Sequence, residues 1–224
     1  MSSPPPGPLL LALHSSSDTL GVAAQTLALE PEPARLAAFP LGRGLSNQLL
    51  TCLETVLPAA DWTRLGRLAV ATGPGGFTGT RLTIVVARTL AQQLAVPLDG
   101  ISSFRLIARR RHRQGEAPAM GPFWLVQDLP RHGQVAGLYA ADPEHLGGIA
   151  EPLPPRLYRQ GHDLDAAALQ AGAAAAPRFA AAPELPQDAA ELLAFGQDAA
   201  RCRLSAPWAP VLPLYPTSPV GAGV

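Results

Sequence analysis

Four glycines, Gly73, Gly75, Gly76 and Gly79, stand between an apolar, β-prone run (Leu68 to Ala71) and a long apolar helix pattern. Strand, glycine turn, helix is the layout of many phosphate sites, where unpaired N–H groups at a helix N-terminus hold the anion. A Walker loop needs GxxxxGK followed by Ser or Thr, with the lysine reaching the phosphates. Here Gly79 is followed by Thr80 and Arg81. A dinucleotide fingerprint needs glycines at the first, third and sixth positions and an acid about twenty residues on. Counting from Gly73, the sixth residue is Thr78, and Asp99 lies near the right distance but in what reads as a tight turn before Gly100. Two readings remain. The loop holds an anion on its backbone N–H groups, or it is a tight turn with a positive φ that brings strand and helix close. With neither lysine nor acid in place, the tight turn is the better reading.

The second candidate is His14 with Ser15, Ser16, Ser17 and Asp18, between two apolar runs. A serine-rich hairpin turn can hold phosphate, and His14 could act as base or ligand. A single histidine at a strand end is more often packed or hydrogen-bonded. Asp128 follows the apolar run Phe123 to Gln127, where it either caps a hairpin or does chemistry. A serine nucleophile needs an arranged base, and no GxSxG elbow is present. The histidines at 14, 112, 132, 145 and 162 are scattered, without HExxH or HxxxH zinc spacing.

Composition narrows the classes. Hydrophobic residues make up 47% and charged residues 15%, so part of the apolar surplus is expected to be covered by a partner. The 17 basic and 17 acidic residues cancel. A chain that grips RNA by itself usually carries a basic excess, so any contact with nucleic acid is expected to be indirect. The one local exception, Arg105 to Arg113, reads as a solvated helix end with cations near its C-terminus. Cys52 and Cys202 lie far apart, which fits a reducing, cytoplasmic compartment. No basic leader or 18-residue apolar run suggests a signal peptide or a membrane span.

The elements that must position these residues follow in order. Residues 1–8 read as a disordered lead-in. Leu9 to Leu13 and Leu20 to Leu29 read as a hairpin, and Arg35 to Phe39 as a third strand. From Ser46 a helix pattern puts Leu49, Leu50, Cys52, Leu53, Val56 and Leu57 on an arc of roughly 160°. After the glycine turn, Leu82, Val86, Leu90 and Leu94 form one row, and Ile84, Ala87 and Ala91 widen it to roughly 200°, with Val85 outside. One sheet face covers less than that, so burial on two sides is expected. Val96 to Ile101 reads as a strand and Phe104 onward as a helix. Phe123 to Gln127 and Val135 to Ala141 read as a hairpin. Proline and glycine dominate from Asp142 to His162. Asp163 to Ala176 reads as a helix, Arg178 to Ala182 as a strand and Ala189 to Arg203 as a helix. The expected division is 9–114 for a first lobe, 115–205 for a smaller second lobe and 206–224 for a proline-rich tail. The class is α/β with mixed sheets.

The stretch Gly73, Pro74, Gly75, Gly76, Phe77, Thr78, Gly79, Thr80, Arg81 resembles the GPGSFTGLR-type loop of the TsaB (YeaZ) family. The resemblance continues in Pro97 to Ser103, in Leu11 to Ser17, in part of Asp128 to Val135, and in Pro213 to Tyr215. It covers residues 9–140 best. His14 stands where the family has an aspartate, and Gln134 where it has a glutamate. The resemblance implies an actin-like (ASKHA, ribonuclease H-like) fold of two lobes, the second small. It implies a role in making threonylcarbamoyladenosine at position 37 of tRNAs that read ANN codons. The family member is the non-catalytic paralogue of the transferase TsaD and heterodimerises with it. TsaE joins in a ternary complex, and TsaC makes the threonylcarbamoyl-adenylate. ATP, ADP and metal are used by these partner subunits, with no cofactor, catalytic or metal residue expected here. The tRNA is met only indirectly, and a homodimer is possible when the chain is alone. Helices of the first lobe supply the pairing surface, which selects Leu49, Leu53, Val56, Leu82, Val85, Val86 and Leu90. Val86→Glu or Leu53→Glu should then break the complex and leave the monomer folded. The alternative is an independent ATP-binding phosphotransferase or ATPase of the same fold, and a peptidase is a distant third.

Overall fold

The first strand explains the first sheet. The computed structural model describes residues 7–30 and 32–216. In β1 (Leu9–His14) all six residues are buried, as expected for a continuous apolar run in the middle of a sheet. It pairs antiparallel with β2 (Thr19–Thr26), from Leu9 opposite Thr26 to His14 opposite Gly21. On its other side it pairs parallel with β4 (Leu65–Ala71). With β3 (Arg35–Pro40) and β5 (Leu98–Ile101) the order is β3-β2-β1-β4-β5. Alternation along β1 splits the core. Leu9, Leu11 and Leu13 join the cluster formed by α1 (Leu45–Val56) and α2 (Phe77–Leu94). Leu10 faces α5 (Gln187–Arg201), where a Cβ on Gly196 would come within 2.9 Å of Leu10 Cδ1.

The second sheet has the order β8-β7-β6-β9. The hairpin of β6 (Pro122–Leu129) and β7 (Gly133–Ala141) carries residues for two faces. Phe123 and Leu125 pack with Phe104, Ile107 and Ala108 of α3 (Ser103–Arg113). Trp124 packs with Leu164, Ala167 and Ala168 of α4 (Gly161–Gln170). Strand β9 (Arg178–Ala180) runs parallel to β6.

Two expectations change. The proline- and glycine-rich stretch 142–162 contains a ten-residue strand, β8 (Ile149–Tyr158), with prolines at 152, 154 and 155. A residue without an N–H is tolerated at a sheet edge, and β8 is an edge strand with two register shifts against β7. The division of the chain also differs. Among the described residues, the first unit holds 7–30, 32–103 and 184–213, and the second holds 104–183 and 214–216. The reason lies in the packing of two helices. From Phe104 on, α3 contributes to the core of the second sheet, whereas α5 returns to lie on β1, β2 and β4. Of the proline-rich tail, Val211 is buried in the first core and Leu98 N–H donates to Ala206 O at 2.9 Å, so this part is a strap along β5. Residues 1–6 and 217–224 lie outside the described residues.

Candidate functional site

The glycine loop is packed against the serine turn. Gly73 has φ of 93°, which favours glycine. A Cβ on Gly75 would collide with the Ser16 carbonyl oxygen, Cβ and Cα, and one on Gly79 would come within 2.9 Å of Ser15 O. Gly76 N–H donates to Ser16 O at 2.9 Å, and Ser103 N–H donates to Gly73 O at 2.7 Å. Ser15 Oγ and Thr83 Oγ1 share a hydrogen bond of 2.7 Å, and Ser16 Oγ shares one with Ser103 Oγ. The glycines bring backbone against backbone. The N–H of Gly76, one of the four that open the helix, already has a carbonyl partner. This is the close-approach role of the loop.

His14, at the end of β1, is fully buried. Its Nδ1 accepts a hydrogen bond from Ser16 N–H at 3.5 Å, and its Nε2 has no partner among the described residues. Burial pushes its pKa down to about 4, partly offset by a backbone hydrogen bond, so the ring is neutral at physiological pH. That is a packed histidine. Asp128 is exposed near the tip of the β6–β7 hairpin, where its Oδ1 accepts from Gln134 Nε2 at 2.8 Å, directly across the ladder. It ties the hairpin together. No group of three or more His, Cys, Asp or Glu among the described residues could hold a metal.

The arginines of α3 overturn the expectation of a solvated helix end. Arg105 donates to Ile149 O and to Leu146 O, both at 2.8 Å, and Arg109 to Gly147 O at 2.9 Å. Arg110 is buried and donates to Ala182 O at 2.8 Å. Arg111 pairs with Glu116 and lies over the Phe179 ring. They fasten the second sheet's loops by satisfying carbonyls that β8 and β9 leave over. Interleaved Leu106, Ile107 and Ala108 were the available sign that this helix is enclosed.

Sequence spacing missed a further pair. Asp99 lies within β5 rather than in a tight turn, and it holds Arg67 of β4 in a buried bidentate ion pair. Arg67 Nη2 also donates to Leu204 O. Asp99 therefore has a structural partner and no resemblance to a ribose-binding acid.

The helical face divides into a core side and an open side. Leu49, Leu53 and Val56, expected as partner contacts, are buried in the first unit's own core, with Leu53 at 0% exposure. An apolar arc on α1 is used up by β2 and α2. On α2 the sheet side is Thr80, Thr83, Ile84, Ala87 and Ala91, all but Ile84 small enough to let the helix sit close. Leu82, Val86 and Leu90 are half-buried against that core. Val85 is 57% exposed, Phe77 58%, and Leu50 of α1 52%. At the start of both helices, Asp18, Arg43, Leu45, Ser46, Phe77 and Leu82 line a cleft of about 330 Å³.

Comparison with known proteins agrees with this architecture. Residues 41–138 match the model of the family described as TsaD, tRNA N6-adenosine threonylcarbamoyltransferase. The tRNA threonylcarbamoyladenosine biosynthesis protein TsaB of Bacillus subtilis (strain 168) is 31% identical over 152 residues, 65% of this chain and 59% of that protein. The protein of the same description from Buchnera aphidicola subsp. Schizaphis graminum (strain Sg) is 35% identical over 69 residues, 30% of this chain and 33% of its own. The matched stretch thus spans less than two thirds of either relative. YeaZ from Pseudomonas aeruginosa superposes with a TM-score of 0.66 at 20% identity, covering 93% of this chain and 99% of that one. A crystal structure described as an uncharacterized protein with similarity to peptidase YEAZ, from the same organism, gives 0.68 at 22%, with the same coverage. Sheet order and superposition give the chain the α/β fold of the YeaZ structures, with two mixed sheets. Within that class, the chain is similar in sequence to the two TsaB proteins and in fold to the YeaZ structures.

Proposed function

We propose that this chain serves in making threonylcarbamoyladenosine on tRNA as a subunit that does no transfer chemistry, and that it heterodimerises with a TsaD-type transferase through the open side of α1 and α2. The names of its relatives support the pathway. The single observation that supports docking is the exposure of the apolar side chains Phe77 and Val85 on α2 and Leu50 on α1, with Leu82, Val86 and Leu90 half-buried. Apolar groups left open beside a core mark an interaction surface. ATP, ADP and metal belong to the partner subunits in this reading, TsaE joins the pair, tRNA is met through the complex, and the setting is the cytoplasm. The packed glycine loop and the neutral, enclosed His14 speak against nucleotide chemistry in the chain by itself.

The test is co-purification with TsaD of the same organism, together with the threonylcarbamoyladenosine content of tRNA after depletion of this chain. A stoichiometric complex and loss of the modified nucleoside are expected. Absence of both overturns the proposal. Micromolar binding of ATP and Mg²⁺ to the isolated chain, measured by calorimetry, overturns its non-enzymatic part.

A further inference from the structure

The neutral total charge hides an uneven split. Residues 104–183 hold nine arginines against seven acids, while the rest of the chain holds eight against ten. Within the second unit, one end of the sheet collects three of those arginines. The tip of the β6–β7 hairpin is a tight turn, in which His132 N–H donates to Leu129 O at 2.9 Å. Pro130 takes the second position and Arg131 the third, with φ of 68°. That third position, at positive φ, belongs to glycine or asparagine, and a residue with a Cβ is strained there. Beside the tip runs the end of β8. A Cβ on Gly133 would collide with Tyr158 O and come within 2.8 Å of Arg159 Cα. Arg156 is seated on the Tyr158 ring, 4.9 Å from its centroid, with Nε donating to the Tyr158 hydroxyl.

The side chains of Arg131, His132 and Arg159 are exposed and have no hydrogen bond, ion pair or ring contact among the described residues. The two acids of this end are engaged: Asp128 accepts from Gln134 Nε2, and Asp163 from Gln160 N–H at the start of α4. An arginine in a conformation that suits glycine, with nothing inside the unit to hold, is kept for something outside it. Resting on the tRNA pathway proposed above, and going beyond a tRNA met only through other subunits, we infer that this end of the second sheet contacts the phosphodiester backbone of the tRNA, with Arg131 and Arg159 as the phosphate donors. Guanidinium groups match phosphate oxygens two at a time. An acidic protein face is the poorer occupant. A protein interface is centred on buried apolar anchors, and none of the exposed large apolar side chains falls in 128–134 or 156–160. Contacts of this kind fix the position of a nucleic acid without reading its sequence.

The experiment measures binding of a fluorescein-labelled, unmodified transcript of an ANN-reading tRNA to the purified complex of this chain with its transferase, across a salt series. Arg131→Gln/Arg159→Gln is expected to weaken binding about tenfold at low salt and to reduce the slope of log affinity against log salt by about 2. Arg131→Lys/Arg159→Lys should keep most of both. Arg131→Gly should weaken binding without lowering the melting temperature of the chain, since glycine suits the turn. A lower melting temperature would make Arg131 a structural residue and overturn the inference. If no complex with the transferase forms, the proposed function itself falls. If the complex forms and the glutamine variant binds tRNA with wild-type affinity and slope, the inference falls and the proposed function stands. Unchanged tRNA binding with weakened hold on the transferase would assign the patch to a protein and likewise overturn it.

Discussion

Arg67 and Asp99 are locked together across β4 and β5, with Nε to Oδ2 at 2.6 Å and Nη2 to Oδ1 at 2.8 Å, both side chains buried. Removing one member leaves a buried charge without its partner. Arg67→Met or Asp99→Leu alone is expected to destabilise the chain by about 3–5 kcal/mol, while the double replacement lies far closer to wild type. Urea unfolding of the three variants checks this.

Gly75 and Gly76 are neighbours with opposite surroundings. A Cβ on Gly75 runs into Ser16, whereas one on Gly76 meets nothing within 4 Å. Gly75→Ala should lower stability by about 1–3 kcal/mol through overpacking, and Gly76→Ala should be near neutral. Comparable losses in both, read from thermal unfolding, would contradict the close-approach role.

His14 gives a pH dependence of definite sign. Its pKa falls from 6.5 to about 4 in the folded chain because burial disfavours the charged ring. Between these values the unfolded chain binds the extra proton, so stability is full above about pH 6.5 and declines as pH falls to about 4. The loss is on the order of 3 kcal/mol. Unfolding free energies from pH 8 to pH 4 should show this slope, and His14→Leu should remove it.

Leu53 and Val85 separate core from surface. Leu53→Ala is expected to destabilise by about 2–5 kcal/mol through the cavity it leaves, and Leu53→Glu to unfold the first unit. Val85→Glu, at a 57% exposed position, should leave the melting curve in place and abolish co-purification with the transferase. A folded, binding-competent Leu53→Glu chain would contradict the packing described.

The hairpins and the five α-helices, except their exact ends, could be read from the chain, because period and turn residues are local. Strand β8 could not, since Pro152, Pro154 and Pro155 argue against a strand and only its edge position permits one. Leu49, Leu53 and Val56 read as a contact surface because an apolar arc says that something covers it and not what. The arginines of α3 read as solvated because charge does not reveal which carbonyls lie within reach. Arg67 and Asp99 stand 32 residues apart, and nothing local joins them.

The return of α5 to the first sheet has a consequence for biosynthesis. Until Arg201 has left the ribosome, β1 has no cover over Leu10, although all the strands of its sheet were complete by Ile101. At about 5–20 residues per second, the intervening hundred residues take roughly 5–20 s. The nascent chain therefore carries an open apolar sheet through that interval, a window in which chaperones would find their target.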